Sequence, residues 1–236
     1  KLQLYSDPTC RVLVDKLAEV YGVDADEVIV TNGSDEVLDF AFQAFCDEDT
    51  PARFPDITYG FYPVFGQLNE VACEKIPLNE DFTLDYTAYC AKNKLVVIAN
   101  PNAPTGLCLP LSDIEAIVRS NPDNVVIIDE AYVDFGGESA VSLVEKYENL
   151  LVIQTFSKSR SMAGARLGFA IGNEKLIADL NTLRYSTNPY NVNRMTQAAG
   201  VAAIEANDVF LANRRTVMDN RAYTVQALET LDFTVL

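Results

Sequence analysis

The chain of 236 residues has no histidine and no tryptophan. Without histidine it cannot carry a Ser–His–Asp triad, a Cys–His dyad or a histidine-ligated zinc. Positive charge is scarce as well. Against 34 Asp and Glu stand 18 Lys and Arg, a formal net charge of −16. Such a surface repels phosphate backbones and anionic lipid, so neither nucleic acid nor a membrane is an expected partner. No apolar run reaches the roughly 18–20 residues that a bilayer-spanning helix needs, and no signal peptide is visible. The five cysteines, Cys10, Cys46, Cys73, Cys90 and Cys108, are odd in number and form no Cys-x-x-Cys pair. That argues against a disulfide framework or a four-cysteine metal site and for a reducing, cytoplasmic setting.

What is present is apolar, 49% of the residues, enough to bury the core of a large domain. Residues 28–30, 95–99, 125–128, 150–153 and 167–171 are β-rich runs that do not alternate with polar residues. Such runs suit strands buried on both faces, as in a mostly parallel sheet. Helical spacing marks 10–21, 35–45, 194–206 and 208–230. A further helix is expected over 112–120, with Ser112 and Glu115 spaced as a capping box. The βαβα order gives an α/β class, the mostly parallel sheet flanked by helices.

In open parallel sheets ligands sit beyond the carboxyl ends of the strands, so the residues following each strand carry the chemistry. Asn32-Gly33-Ser34-Asp35-Glu36 follows the first strand and opens a helix. The amides of Ser34 and Asp35 would there form an anion site, although an ordinary helix cap fits the same residues. Asn100-Pro101-Asn102-Ala103-Pro104-Thr105-Gly106 is a rigid turn. Asp129, in Asp129-Glu130-Ala131-Tyr132, ends a buried strand. It therefore needs a cation, a donor or a capping role, and Tyr132 could reach the same ligand. Thr155-Phe156-Ser157-Lys158 places a lysine at an apolar sheet edge, where desolvation favours the neutral amine that makes a Schiff base. Arg166 offers a fork that fits phosphate. Each residue alone also fits a surface or structural role. Together they suit pyridoxal 5′-phosphate: Lys158 for the Schiff base, Asp129 for the ring nitrogen, and Arg166, Ser157 and the helix amides for the phosphate.

These motifs, from Leu4-Tyr5-Ser6-Asp7-Pro8 to Pro189-Tyr190-Asn191-Val192, resemble the class I/II, fold-type I aminotransferases, and within them the histidinol-phosphate aminotransferase branch. The resemblance implies the fold-type I architecture. An N-terminal segment (1–27) would lie on the small-domain side, a large cofactor-binding domain would span 28–205, and 206–236 would form a linking helix and the start of a truncated small domain. Both ends of the chain read as cut from something longer. The resemblance also implies catalytic roles for Lys158, Asp129 and Tyr132, the last bonding the ring hydroxyl. Ser34, Asp35, Thr155, Ser157 and Arg166 would serve the phosphate, and Tyr59 would stack on the ring. Tyr5 would reach the phosphate of a partner subunit in a homodimer, while Asn191 and Tyr190 would line the substrate side. Ala103 departs from the family's usual Asn, which leaves the ring hydroxyl to Tyr132 or to Asn102. The substrate-carboxylate arginine of the family falls beyond Leu236.

The implied activity is amino transfer from histidinol phosphate to 2-oxoglutarate in histidine biosynthesis. An aromatic aminotransferase or a threonine-phosphate decarboxylase shares nearly all these motifs. An aminotransferase-like ligand-sensing domain of a regulator is the alternative of another class, disfavoured by the net charge.

Overall fold

A single seven-stranded sheet organises the computed structural model, which describes residues 2–236. In chain order the elements are α1 (Arg11–Tyr21), β1 (Val28–Thr31), α2 (Ser34–Phe45), β2 (Ala52–Pro55), α3 (Tyr62–Leu68), β3 (Cys73–Ile76) and β4 (Leu95–Ala99). They continue with α4 (Leu111–Ser120), β5 (Val126–Asp129), β6 (Leu150–Thr155), β7 (Gly168–Gly172), α5 (Glu174–Thr187), α6 (Arg194–Glu205) and α7 (Asn207–Glu229). The strand order is β1-β7-β6-β5-β4-β2-β3. The run from β3 to β6 is parallel, and only β7 is reversed, pairing antiparallel with both β6 and β1.

Every residue of β4, β5 and β6 is buried, as continuous apolar runs require. Successive side chains point to opposite faces, so the same strands feed two cores. Val96, Ile98, Ile128 and Val152 pack with Leu13 and Leu17 of α1 and Ile114 and Ile117 of α4. Leu95, Val97, Ile127 and Leu151 pack with Val37, Leu38 and Phe42 of α2.

Two consequences of this topology position the site. The carboxyl ends of β1, β4, β5 and β6 share one edge of the sheet. Because β7 is reversed, its beginning lies at that same edge, with Thr155 opposite Gly168 and Thr31 opposite Gly168. Arg166 therefore reaches the ligand edge from in front of a strand.

The helix expected over 112–120 starts one residue earlier, at Leu111, with extended Pro110 in the cap position. Ser112 thus lies inside the first turn and the capping box does not form. Its hydroxyl lies 3.3 Å from Asp113 Oδ1, while Glu115 turns away to accept from the Tyr147 hydroxyl at 2.8 Å. All five cysteines are free. Among the described residues no helix is long and apolar enough to cross a membrane.

Candidate active site

A cavity of about 220 Å³ opens at the ligand edge. Every residue assigned to the cofactor from the sequence lines it, except Tyr5.

Its most buried charge is Asp129, the last residue of β5 and only 5% exposed. Oδ2 accepts the Tyr62 hydroxyl at 2.8 Å, and Oδ1 accepts the Ala131 amide at 3.2 Å. Burial nonetheless pushes the carboxyl up to about 6, helped by the charge of Asp35 and opposed by those two donors and by Lys158. A carboxyl so desolvated, with no cation bonded to it, is suited to accept an N–H from a cationic ring. Tyr62 was not foreseen in the sequence. It sits in the first turn of α3 and is fully buried, and burial beside Asp129 drives its phenol far above the ordinary range. It is a fixed donor.

Lys158 follows β6 by three residues and is exposed on the cavity wall, so the expected desolvation of its amine does not occur. The turn that carries it is closed by the Met162 amide on the Phe156 carbonyl at 3.0 Å. Its Nζ stands 5.1 Å from the centre of the Tyr132 ring, a cation–π distance. Thr155 is engaged with its own loop. Its Oγ1 lies 3.0 Å from Ser157 Oγ and accepts the Ser157 amide at 3.1 Å, which makes it the support of Ser157.

The other end of the cavity is the start of α2. Gly33 precedes the helix with φ of 81°, a left-handed conformation that glycine adopts without strain. Arg166 crosses directly over it: a Cβ on Gly33 would stand 2.5 Å from Arg166 Nη2. From below, Gly168 presses against the same turn, and a Cβ there would stand 2.3 Å from the Ser34 amide nitrogen. The sequence contained both glycines within its motifs, but nothing local indicated that they meet. Asp35 accepts from the Tyr59 hydroxyl at 2.9 Å and from Arg166 Nη2 at 3.2 Å. Burial and the Asp35 carboxylate both raise the Tyr59 phenol, keeping it a donor. These contacts fix the tilt of the Tyr59 ring on the cavity wall.

Ala103 lines the cavity and brings no polar group. Asn102 cannot substitute for the missing amide. Its Oδ1 accepts the Thr58 hydroxyl at 2.8 Å, and its Nδ2 donates to the Ile57 carbonyl at 3.0 Å and to Thr105 at 3.1 Å. Tyr132 is left as the donor on that side.

Tyr190 and Asn191, expected on the substrate side, do not line the cavity, and Tyr5, expected to serve a partner subunit, lies outside it as well. Tyr5 and Tyr190 stack on each other, rings 4.5 Å apart at 21°, and both are exposed. Asn191 is buried and donates to Glu36 at 2.5 Å. A wider groove of about 800 Å³ continues from Lys158 and Tyr132 toward Val217, Arg221 and Val225 of α7.

The family model described as aminotransferase class I and II matches residues 1–236. A histidinol-phosphate aminotransferase of Brachyspira hyodysenteriae is 48% identical over 236 residues, all of this chain and 67% of that protein. One from Acinetobacter baumannii is 49% identical over 235 residues, 100% of this chain and 65% of its own length. The chain therefore spans about two thirds of the length of these relatives. A histidinol-phosphate aminotransferase from Sinorhizobium meliloti, solved with pyridoxal-5′-phosphate, superposes with a TM-score of 0.88 at 22% identity, covering 95% of this chain and 63% of that one. At that identity the likeness shows a shared fold.

Proposed function

Since this chain belongs to the aminotransferase class I and II family, we propose that it binds pyridoxal 5′-phosphate in the cavity between Asp129 and Arg166 and serves amino transfer from histidinol phosphate to 2-oxoglutarate. One observation carries the reading. A buried carboxyl without a bonded cation, an exposed lysine, and an arginine over a helix start converge on one cavity of about 220 Å³. The donor set fits the cofactor. Asp129 suits a ring nitrogen that carries a proton, and the lack of a side chain at Gly33 and Gly168 lets Arg166 and the start of β7 come close to the first amides of α2, beside which an anion would sit.

When bound, the cofactor supplies an electron sink for charge developing at the substrate α-carbon. The protein's own groups do the rest. Lys158 Nζ would hold the cofactor until the donor's amino group takes its place, and the amine so freed would move a proton to and from the α-carbon. Asp129, fixed by Tyr62, keeps the ring nitrogen protonated. Tyr132 donates to the ring hydroxyl without help from position 103 or from Asn102. Ser157, Arg166 and the amides of Ser34 and Asp35 hold the phosphate, and Thr155 orients Ser157. The groove beyond Lys158 gives the amino donor its approach.

The choice of donor rests on the two relatives at 48% and 49% identity, and places the reaction in histidine biosynthesis. A homodimer is part of the proposal. Tyr5 is 77% exposed, stacks on Tyr190 and lies outside its own cavity, which leaves it available to a second subunit. The five free cysteines support a reducing, cytoplasmic setting.

Titrating the purified protein with pyridoxal 5′-phosphate tests the core of this reading. A visible absorbance band fixed by borohydride is expected, and Lys158→Ala should lack it. A wild-type protein that gives no band refutes the proposal. Glutamate release with histidinol phosphate as donor, set against phenylalanine and threonine phosphate, tests the substrate.

A further inference from the structure

Asp35 holds an unusual place for a carboxylate. It is the second residue of α2, where the helix start favours negative charge. Its backbone amide belongs to the anion site proposed above, yet its side chain folds back across that site. One oxygen accepts the Tyr59 hydroxyl at 2.9 Å and the other pairs with Arg166 Nη2 at 3.2 Å. The charged groups lining the cavity are Lys158, Arg166, Asp35 and Asp129, so their formal charges cancel. An incoming phosphate thus meets an arginine that already has an anion on it. It also meets a helix start whose partial positive charge is already answered.

We propose that Asp35 is an internal counter-anion, which phosphate must displace from Arg166, and that it sets the affinity of the site for phosphate. This rests on the function proposed above. The Tyr59 hydroxyl acts as the tether on the other oxygen, holding the carboxylate within reach when Arg166 is released. Arg166 is then poised in one orientation before any ligand arrives, and phosphate binding exchanges one ion pair for another. Because Asp35 and Arg166 are 39% and 47% exposed, the exchange is cheap.

Asp35→Asn is the informative variant. It removes the charge and keeps an oxygen that can accept from Tyr59. Asp35→Ser, a good residue near a helix start, is the second variant in case the first does not fold, with folding checked by circular dichroism. Binding of inorganic phosphate is measured by calorimetry, and the visible band with pyridoxal 5′-phosphate is recorded in parallel. Phosphate is expected to bind about fivefold tighter to Asp35→Asn than to wild type, the upper end of what a partly exposed pair is worth. In an Arg166→Gln background the same substitution should change affinity less than about twofold, since the competition has lost its object. Equal or weaker phosphate binding in the folded Asp35 variants overturns the proposal and makes Asp35 a clamp that orients Arg166. If the wild-type band forms in that case, the parent reading stands. A wild type with neither phosphate binding nor band overturns the parent reading itself.

Discussion

Replacing Gly168 by alanine should damage stability and cofactor binding together. A methyl group on Gly168 would stand 2.3 Å from the Ser34 nitrogen, 2.4 Å from the Gly33 carbonyl carbon and 2.9 Å from the Gly33 oxygen. All three atoms are backbone, so no rotamer change relieves the contact. Reaching an ordinary separation of about 3.5 Å requires the start of β7 and the start of α2 to part by about 1 Å. Overpacking of this kind costs about 1–3 kcal/mol, and rigid backbone on both sides points to the upper half. In a chain of this size, about 2–3 kcal/mol lowers the melting temperature by roughly 4–12 °C. The shift also moves the Ser34 and Asp35 amides, so affinity for pyridoxal 5′-phosphate should fall at least about tenfold. Gly164→Ala is the matched control, since nothing lies within 4 Å of its added methyl, and it should change stability by less than about 0.5 kcal/mol. Thermal denaturation and absorbance titration of both variants decide the matter. A Gly168→Ala protein that melts with wild type and binds cofactor equally well refutes the packing argument.

Two further outcomes are expected. The Asp129 carboxyl is raised to about 6, so the folded cofactor-free chain keeps a proton that the unfolded chain releases near its ordinary value. Stability from this group is therefore lost as pH rises from about 4 to about 6, by an amount on the order of 3 kcal/mol. Asp129→Asn should remove the dependence: the difference in urea midpoint between variant and wild type should grow across that window and level off above it, and a difference independent of pH would contradict the assignment. Asn102→Ala breaks the buried links to Ile57, Thr58 and Thr105. It should cost about 1–3 kcal/mol in chemical denaturation, and an unchanged midpoint would show that the loop does not depend on that amide.

The sequence was most informative where strands are buried on both faces. Residues 95–99 read as a strand and form β4 over Leu95–Ala99. By contrast β2, Ala-Arg-Phe-Pro, and β3, Cys-Glu-Lys-Ile, passed unnoticed. Both are short and interrupted by charge, and β3 is an edge strand, half-buried at most of its positions. Nothing local betrays the reversal of β7 either, because a buried strand looks alike in both directions. The lining of the cavity was legible because residues at strand ends converge once the sheet is given. Tyr62 was not, since its partner Asp129 lies 67 residues away. The desolvation expected at Lys158 is not met because the turn at residues 156–162, which follows the buried strand, leaves the lysine exposed. The mutual approach of Gly33, Arg166 and Gly168 likewise exists only in three dimensions.

The reversal of β7 ties two walls of the cavity to one loop. Residues 156–167 leave the sheet at Thr155 and return at Gly168, and those two residues are paired. Lys158 near one end and Arg166 near the other are thus held like two pins in a single buckle, its clasp shut by the Phe156 amide on the Leu167 carbonyl at 3.0 Å. Lengthening or shortening the strap would change the gap between Lys158, proposed above to hold the aldehyde end of the cofactor, and Arg166, proposed to hold its phosphate. On that proposal, the length of this one excursion sets the spacing between the two ends of the cofactor site.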